Sequence, residues 1–241
     1  METILKVNRI SKKNILKNVS FSIEQGEMVA IMGPSGSGKS TLLYIVSGMD
    51  SPDFGEVFLK KEELTAMNED QKADLRLHKM GFVFQQMNMM ENLNLLDNIL
   101  LPAHALRKEK KELKKEALDW MKKLSIEGLE SRKINEVSGG QLQRACICRS
   151  LINHPDILFA DEPTGALNQK ASQEVLDTMV SLNQEGTTIC MVTHDARMAS
   201  RCQRILYLVD GQIHGELFVP EHLSIKQREE KVNQWLNEFE W

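Results

Sequence analysis

A chain of 241 residues with 41% hydrophobic content has the material for one large α/β domain or two small ones, and is not of the disordered class. Its formal net charge of -4, from 34 Asp and Glu against 30 Lys and Arg, gives no basic bias, so nucleic acid is not the expected partner. No apolar run approaches the roughly 18 residues that span a bilayer, and residues 1–13 lack the apolar core of a signal peptide; a cytoplasmic protein that reaches a membrane through a partner is expected.

Residues 4–7 and 19–23 read as short strands. In the second, Val19, Phe21 and Ile23 alternate with Ser20 and Ser22, the pattern of a half-buried face. A turn over 24–27 leads into the apolar run 28–32, a buried strand. There follows Gly33-Pro34-Ser35-Gly36-Ser37-Gly38-Lys39-Ser40, with Thr41 opening a helix over 41–46. This G-x-x-x-x-G-K-S order is the P-loop pattern. Glycines turn the chain tightly with no Cβ in the way, so that backbone N–H groups face a polyphosphate. Lys39 supplies a point charge for the β- and γ-phosphates, and the Ser40 hydroxyl is a hard ligand for Mg²⁺. The helix N-terminus would face the phosphates as well. Residues 48–55 are turn-rich and 56–59 read as a strand, so the chain begins as a small antiparallel layer fused to a P-loop core.

A further buried strand, 80–84, ends at Gln85. Its neutral amide suits Mg²⁺ or water and can report ligand occupancy to the methionine-rich stretch 87–93. Residues 97–124 read as mostly helical with a break near Pro102. Leu106, Leu113, Ala117, Leu118, Met121 and Leu124 form an apolar stripe, and the dense Lys and Glu of 107–123 are its solvated face. This helical stretch interrupts the strand pattern and marks a subdomain inserted at about 87–152. Within it, Ser138-Gly139-Gly140-Gln141 opens a helix and offers N–H groups and a hydroxyl, a second phosphate-seeking constellation. One P-loop and two such sites are reconciled if two chains pair head to tail, each completing the other's site.

The apolar strand 157–160 runs into Asp161 and Glu162. Acids at a strand's C-terminal end lie where α/β proteins bind ligands, so Asp161 is the candidate Mg²⁺ ligand and Glu162 the candidate base for an attacking water. The strand 188–193 repeats the design with His194, placed for the γ-phosphate. Helices at 169–183 and 196–202, a strand at 205–209 and an Asp210-Gly211 hairpin into 212–217 complete the alternation of a mainly parallel sheet. Pro220 marks a boundary. Beyond it, 223–241 reads as a terminal helix with Ile225, Val232, Trp235, Leu236 and Phe239 on one side. Cys146, Cys148, Cys190 and Cys202 have no zinc-type spacing and are expected to be reduced structural thiols.

Taken together, these segments resemble the ATP-binding subunit of an ABC transporter over residues 1 to about 217. Gly33 to Ser40 is similar to Walker A, Gln85 to the Q-loop and Ser138 to Gln141 to the signature. Residues 157–162 are similar to Walker B, and His194 to the switch histidine. The resemblance implies an α/β P-loop NTPase core (residues 1–217) with an N-terminal antiparallel layer, an inserted helical subdomain and a C-terminal helical tail at 218–241. It implies ATP and Mg²⁺ as cofactors, with ATP sandwiched between Walker A of one chain and the signature of another in a homodimer or mixed pair. Glu162 would be the catalytic carboxylate.

Residues 81–85, 98–102 and 159–167 look like the branch serving lipoprotein release, macrolide export and antimicrobial-peptide resistance. That likeness implies an integral-membrane permease as partner, met by the methionine-rich segment, and a place on the cytoplasmic face of the membrane. A regulatory ATPase signalling through a membrane partner without transport is the alternative. A soluble DNA-repair or translation ATPase fits a single unit without basic bias less well. Two positions depart from the family: residues 8–15 lack the usual aromatic that stacks on adenine, and Asn168 stands where Asp is usual.

Overall fold

The computed structural model describes residues 2–106 and 110–239. Residues 107–109, at the head of the expected charged helix, and 240–241, at the end of the expected terminal helix, lie outside the described residues. In chain order the elements are β1 Thr3–Lys12, β2 Leu16–Glu24, β3 Met28–Met32, α1 Lys39–Val46, β4 Phe54–Leu59, β5 Glu62–Glu63, α2 Glu69–Lys79, β6 Met80–Phe84, α3 Leu95–Ala105, α4 Lys110–Lys123, α5 Gly139–Leu151, β7 Ile157–Asp161, α6 Gln169–Gln184, β8 Ile189–Val192, α7 Ala196–Ala199, β9 Arg204–Val209, β10 Gln212–Phe218 and α8 Ile225–Asn237. They fall into two compact units, residues 1–74 with 183–241, and residues 75–182.

In the first unit, β1 pairs antiparallel with both β2 and β4, giving the order β2-β1-β4-β5. Ile4, Leu5, Val7 and Ile10 of β1 are buried. Beside this layer, β3 pairs in parallel with β8 and with β9. Every residue of β3 and β8 is buried, which is why both read as unbroken apolar runs rather than alternating ones. The β9–β10 hairpin turns at Asp210 and Gly211, both at positive φ (46° and 78°), as a two-residue turn between twisted strands requires. Arg204 of β9 is buried and satisfied as a charge should be: it donates to both Glu27 carboxylate oxygens (2.6 and 2.8 Å) and to Glu216 (2.7 Å).

In the second unit, β6 and β7 pair in parallel, from Met80 opposite Ile157 to Phe84 opposite Asp161. Helix α5 packs on β6 and against α3 and α4. Leu113, Ala117, Met121 and Leu124 are buried, so this part of the expected stripe is packed along and just past α4; Leu118 is only partly covered, and Leu106 belongs to the end of α3 instead. These helices and strands make the mixed α/β architecture expected from the sequence.

Three details differ from expectation. The expected break near Pro102 falls just past it: α3 ends at Ala105 and the next helix begins at Lys110, with Pro102 itself inside the last turn of α3, where it removes one i to i−4 hydrogen bond. Helix α2 lacks an apolar stripe that would announce it. Its one legible signal is a reciprocal cap, in which Gln71 N donates to Asn68 Oδ1 (2.9 Å) and Asn68 N to Gln71 Oε1 (3.0 Å). The P-loop helix begins at Lys39, two residues earlier than its apolar run suggests.

Candidate functional site

The loop from Gly33 to Gly38 is shaped by backbone positions that L side chains avoid. Gly33, Gly36 and Gly38 have φ of 152°, 81° and 100°. A Cβ on Gly33 would stand 1.9 Å from the Leu208 carbonyl oxygen, whereas one on Gly36 would meet nothing within 4 Å. The middle of the loop therefore opens outward while its root is pressed against the sheet. Gly38 caps α1, and Leu42 N donates to its carbonyl (2.8 Å). The Lys39 ammonium folds over the loop and donates to the carbonyls of Gly33 (2.8 Å) and Pro34 (2.9 Å). Pro34 and Ser35 are exposed; Ser40 and Thr41, in the first turn of α1, are half-buried. The Ser37 hydroxyl is buried, 4% exposed for the residue, with no hydrogen-bond partner among the described residues. A concave loop with outward space, a lysine and an orphaned hydroxyl fits a polyphosphate.

His194 shares an end of the sheet with this loop. Ile31 of β3 pairs with Val192 of β8, and Thr193 N donates to Ile31 O (3.2 Å), so Gly33 and His194 leave neighbouring parallel strands at their C-terminal ends. In the second unit the same logic places Gln85 and Glu162: Phe84 pairs with Asp161, and each next residue leaves its strand at the same end. Glu162 is half-buried at φ 46°, a left-handed conformation uncommon outside glycine, with its carbonyl accepting from Gly165 N (3.0 Å). Asp161 is 9% exposed. Ser40 and His194 belong to the first unit; Gln85, Asp161, Glu162 and Ser138 to Gln141 belong to the second.

Ser138 caps α5 reciprocally: Gln141 N donates to its hydroxyl (3.3 Å), and Ser138 N to Gln141 Oε1 (2.9 Å). The hydroxyl proton remains a donor for an anion. Gly139 and Gly140 also permit close packing, since a Cβ on either would lie 3.1 Å from Leu167 Cδ2 or 3.0 Å from Ala171 Cβ. The same helix holds the segment after Gln85. Gln143 donates to Phe84 O (3.3 Å), Cys146 Sγ to Met87 O (3.3 Å), and Arg149 to Met87 O (2.8 Å) and Asn88 O (2.7 Å). Fully buried Asn98 accepts from Met90 N (2.7 Å) and donates to Met90 O (3.1 Å) and Asn94 O (3.0 Å). Met90, 52% exposed, is thus presented on a fixed loop.

Gln143, Arg149 and Gly165 escape sequence reasoning because each acts through a long-range contact, and Asn98 because its side chain folds back on a loop within eight residues of it; the i, i+3, i+6 spacing of 143, 146 and 149 is the one available hint. At the departing positions, Asn168 Oδ1 accepts from Ala171 N (2.9 Å) and so caps α6, a task that asparagine and aspartate share. Ile15, 37% exposed, lies at the rim of the loop, its carbonyl oxygen and Cγ2 3.2 and 3.3 Å from where a Gly38 Cβ would sit.

Among the described residues, no helix is long and apolar enough to cross a membrane. Comparison with known proteins gives a consistent picture. A family profile described as ABC transporter matches residues 16–165. The ATP-binding protein YxdL of Bacillus subtilis is 42% identical over 234 residues, covering 93% of this chain and 91% of its own length. The lipoprotein-releasing system ATP-binding protein LolD of Aquifex aeolicus is 42% identical, with 90% and 99% covered. Macrolide export protein MacB of Campylobacter jejuni is 44% identical over 85% of this chain, which spans only 32% of MacB. Among solved structures, a dimeric post-hydrolysis state of the cassette MJ0796 bound to ADP and Pi superposes with a TM-score of 0.82 at 38% identity, covering 90% of this chain and 99% of that one. The phosphate loop, the acids at the strand end and these matches place the chain in the ABC transporter family, as one of its ATP-binding subunits.

Proposed function

We propose that this chain hydrolyses ATP in a head-to-tail pair and that closure and reopening of the pair drive a membrane permease. The observation that carries the reading is the loop from Gly33 to Gly38, rooted by Gly33, open at Gly36 and roofed by the Lys39 ammonium. The triphosphate takes the place of the carbonyl oxygens that Lys39 holds, and Ser35, Ser37 and the first N–H groups of α1 complete the cradle. The Ser40 hydroxyl, the Asp161 carboxylate and the Gln85 amide oxygen are each a hard oxygen donor of the kind that Mg²⁺ takes. Mg²⁺ takes one or two carboxylates and completes its shell with phosphate oxygens and water. Bound there, the ion neutralises phosphate charge.

Glu162 accepts the proton of the attacking water, its backbone fixed by the left-handed turn. His194 holds the γ-phosphate from the end of β8. Ser138 to Gln141 of a second copy close over the same phosphates with a hydroxyl and helix N–H groups. Ile15 gives the adenine an aliphatic contact where relatives use an aromatic ring. The chain sits at the membrane face through its permease, which meets the Met87 to Leu93 loop; the relatives' names point to export, lipoprotein release or bacitracin export.

Glu162→Gln tests the core of this reading. The variant binds ATP, elutes as a dimer in ATP by size exclusion, and does not turn over. Hydrolysis at the native rate, or an ATP-loaded monomer, overturns it. Capture of an integral-membrane protein from solubilised membranes tests the partner.

A further inference from the structure

Beyond the residues matched by the family profile, the chain ends in a helix whose sequence has a clear design. Ser224 and Gln227 cap α8 reciprocally (3.4 and 3.0 Å), and Arg228, Val232, Trp235, Leu236 and Phe239 follow at spacings that share one face. Val232 and Leu236 are fully buried. Phe239 lies 4.5 Å from the Tyr207 ring of β9 and 5.1 Å from Trp235, between ring centres. Gly215 of β10 makes the room, since a Cβ there would fall 2.6 Å from Phe239 and 2.9 Å from Trp235. The helix is thus fastened to the sheet at its C-terminal end. At its other end it meets α7, the short helix that follows His194.

The segment from His194 to Cys202 is tied at both ends. At its entry, Asp195 N donates to the Thr193 hydroxyl (3.0 Å), and the Asp195 carboxylate accepts from Arg197 N (2.8 Å) and from the Arg197 guanidinium (2.8 and 3.2 Å). Burial pushes the Asp195 carboxyl up, but these bonds outweigh it and hold the group below its ordinary value. Arg197 is raised chiefly by its bond to Asp195, with a smaller contribution from the charge of Glu229 on α8. At the exit, Arg228 reaches from α8 and donates to the Cys202 carbonyl oxygen (2.8 Å). Its Nε is buried with no hydrogen-bond partner among the described residues.

We propose that α8 is a clamp on the His194 segment and that Arg228 is its anchoring, positioning residue. The inference rests on the assignment of His194 to the γ-phosphate. A histidine acts on a phosphate only if its backbone is held in place, and a displacement of about 1 Å can cost a hundredfold in rate. Thr193 and Asp195 fix the near end of the segment. Arg228 fixes the far end to a helix that Tyr207, Trp235 and Phe239 hold against β9 and β10. Arg228 donates to the Cys202 carbonyl beyond His194 and not to the P-loop, so ATP affinity is expected to stay near native without it.

The test is a four-variant cycle of ATPase kinetics: native chain, Arg228→Gln, His194→Ala and the double variant, each checked for native melting. Arg228→Gln is expected to lower kcat about tenfold with KM for ATP near native, and to cause no further loss in the His194→Ala background. Arg228→Lys, which keeps a donor for the Cys202 carbonyl, restores most of the rate. A native kcat in Arg228→Gln overturns the clamp. So does an equal loss in both backgrounds, the mark of a merely structural role, or a lysine variant as slow as the glutamine one. If His194→Ala alone turns over at the native rate, the His194 assignment falls, and the clamp with it.

Discussion

The Gln85 side chain lies against Gly165: a methyl group on that glycine would stand 2.8 Å from Nε2 and 3.2 Å from Cδ. Gly165 belongs to the turn that begins at the Glu162 carbonyl, so the amide after β6 and the acid after β7 rest on one short loop. Gly165→Ala should displace the flexible end of Gln85 and little else. Stability should change by no more than about 0.5 kcal/mol, while kcat falls several-fold at nearly native ATP affinity. Steady-state kinetics beside a melting curve check this. An alanine variant with native kcat removes any role for the contact.

Asn98 carries a second prediction. Its amide is fully buried and satisfies backbone groups of Met90 and Asn94 together. Asn98→Ala leaves the Met90 N–H without its acceptor, while the Met90 and Asn94 carbonyls keep the N–H groups of Leu93 and Asn98; it should cost about 1–3 kcal/mol, read from urea unfolding. The loop from 87 to 94 should also become the first site of proteolysis. An Arg149→Ala change should loosen its other end, at Met87 and Asn88, with a smaller cost because Arg149 is only half-buried.

The glycines of the P-loop should separate by consequence. Gly33→Ala drives a Cβ to 1.9 Å from a backbone oxygen, so the protein should fail to accumulate in folded form. Gly36→Ala meets nothing, and its cost should be about 1–2 kcal/mol, that of a left-handed alanine. It should fold, yet lose ATP affinity, because the new methyl group enters the space left for phosphate. Calorimetry with ATP and far-ultraviolet circular dichroism distinguish the two. A Gly36→Ala variant with native affinity would contradict the cradle.

The thiols predict a pH effect. Burial pushes Cys146 up to about 11 and Cys190 up to about 12, and raises Cys148 and Cys202 as well. An unfolded thiol titrates near about 8.5. Folded values above the unfolded one mean that the stabilisation is complete below about pH 8.5 and is lost as pH rises toward the folded values. Melting temperature should therefore decline above about pH 9. At pH 8 a thiol reagent should label the native chain far more slowly than the urea-unfolded one. Rapid native labelling would show that the sites open.

Much of the candidate site is legible in the sequence because the chemistry proposed for it is local. Gly33 to Ser40 must be contiguous to wrap a phosphate, and Asp161, Glu162, Gln85 and His194 are each announced by an apolar strand ending beside them. Their residue types follow from charge and ligand hardness, which need no fold to be read. The element boundaries set by hydrophobic period and by proline were less secure: α2 has no apolar stripe, and Pro102 sits where α3 tolerates it.

What only tertiary structure decided is which distant residues hold that site in place. Arg149 and Asn98 stand on α5 and α3 with nothing in their neighbours to show that they would grip Met87 and Met90. Gly165 and Gly215 are ordinary glycines until Gln85 and Phe239 are seen packed on them. The C-terminal helix reads as amphipathic, but amphipathicity states only that a face is buried. That Arg228 reaches the carbonyl of Cys202, eight residues beyond His194, depends on long-range side-chain direction, which local sequence does not encode.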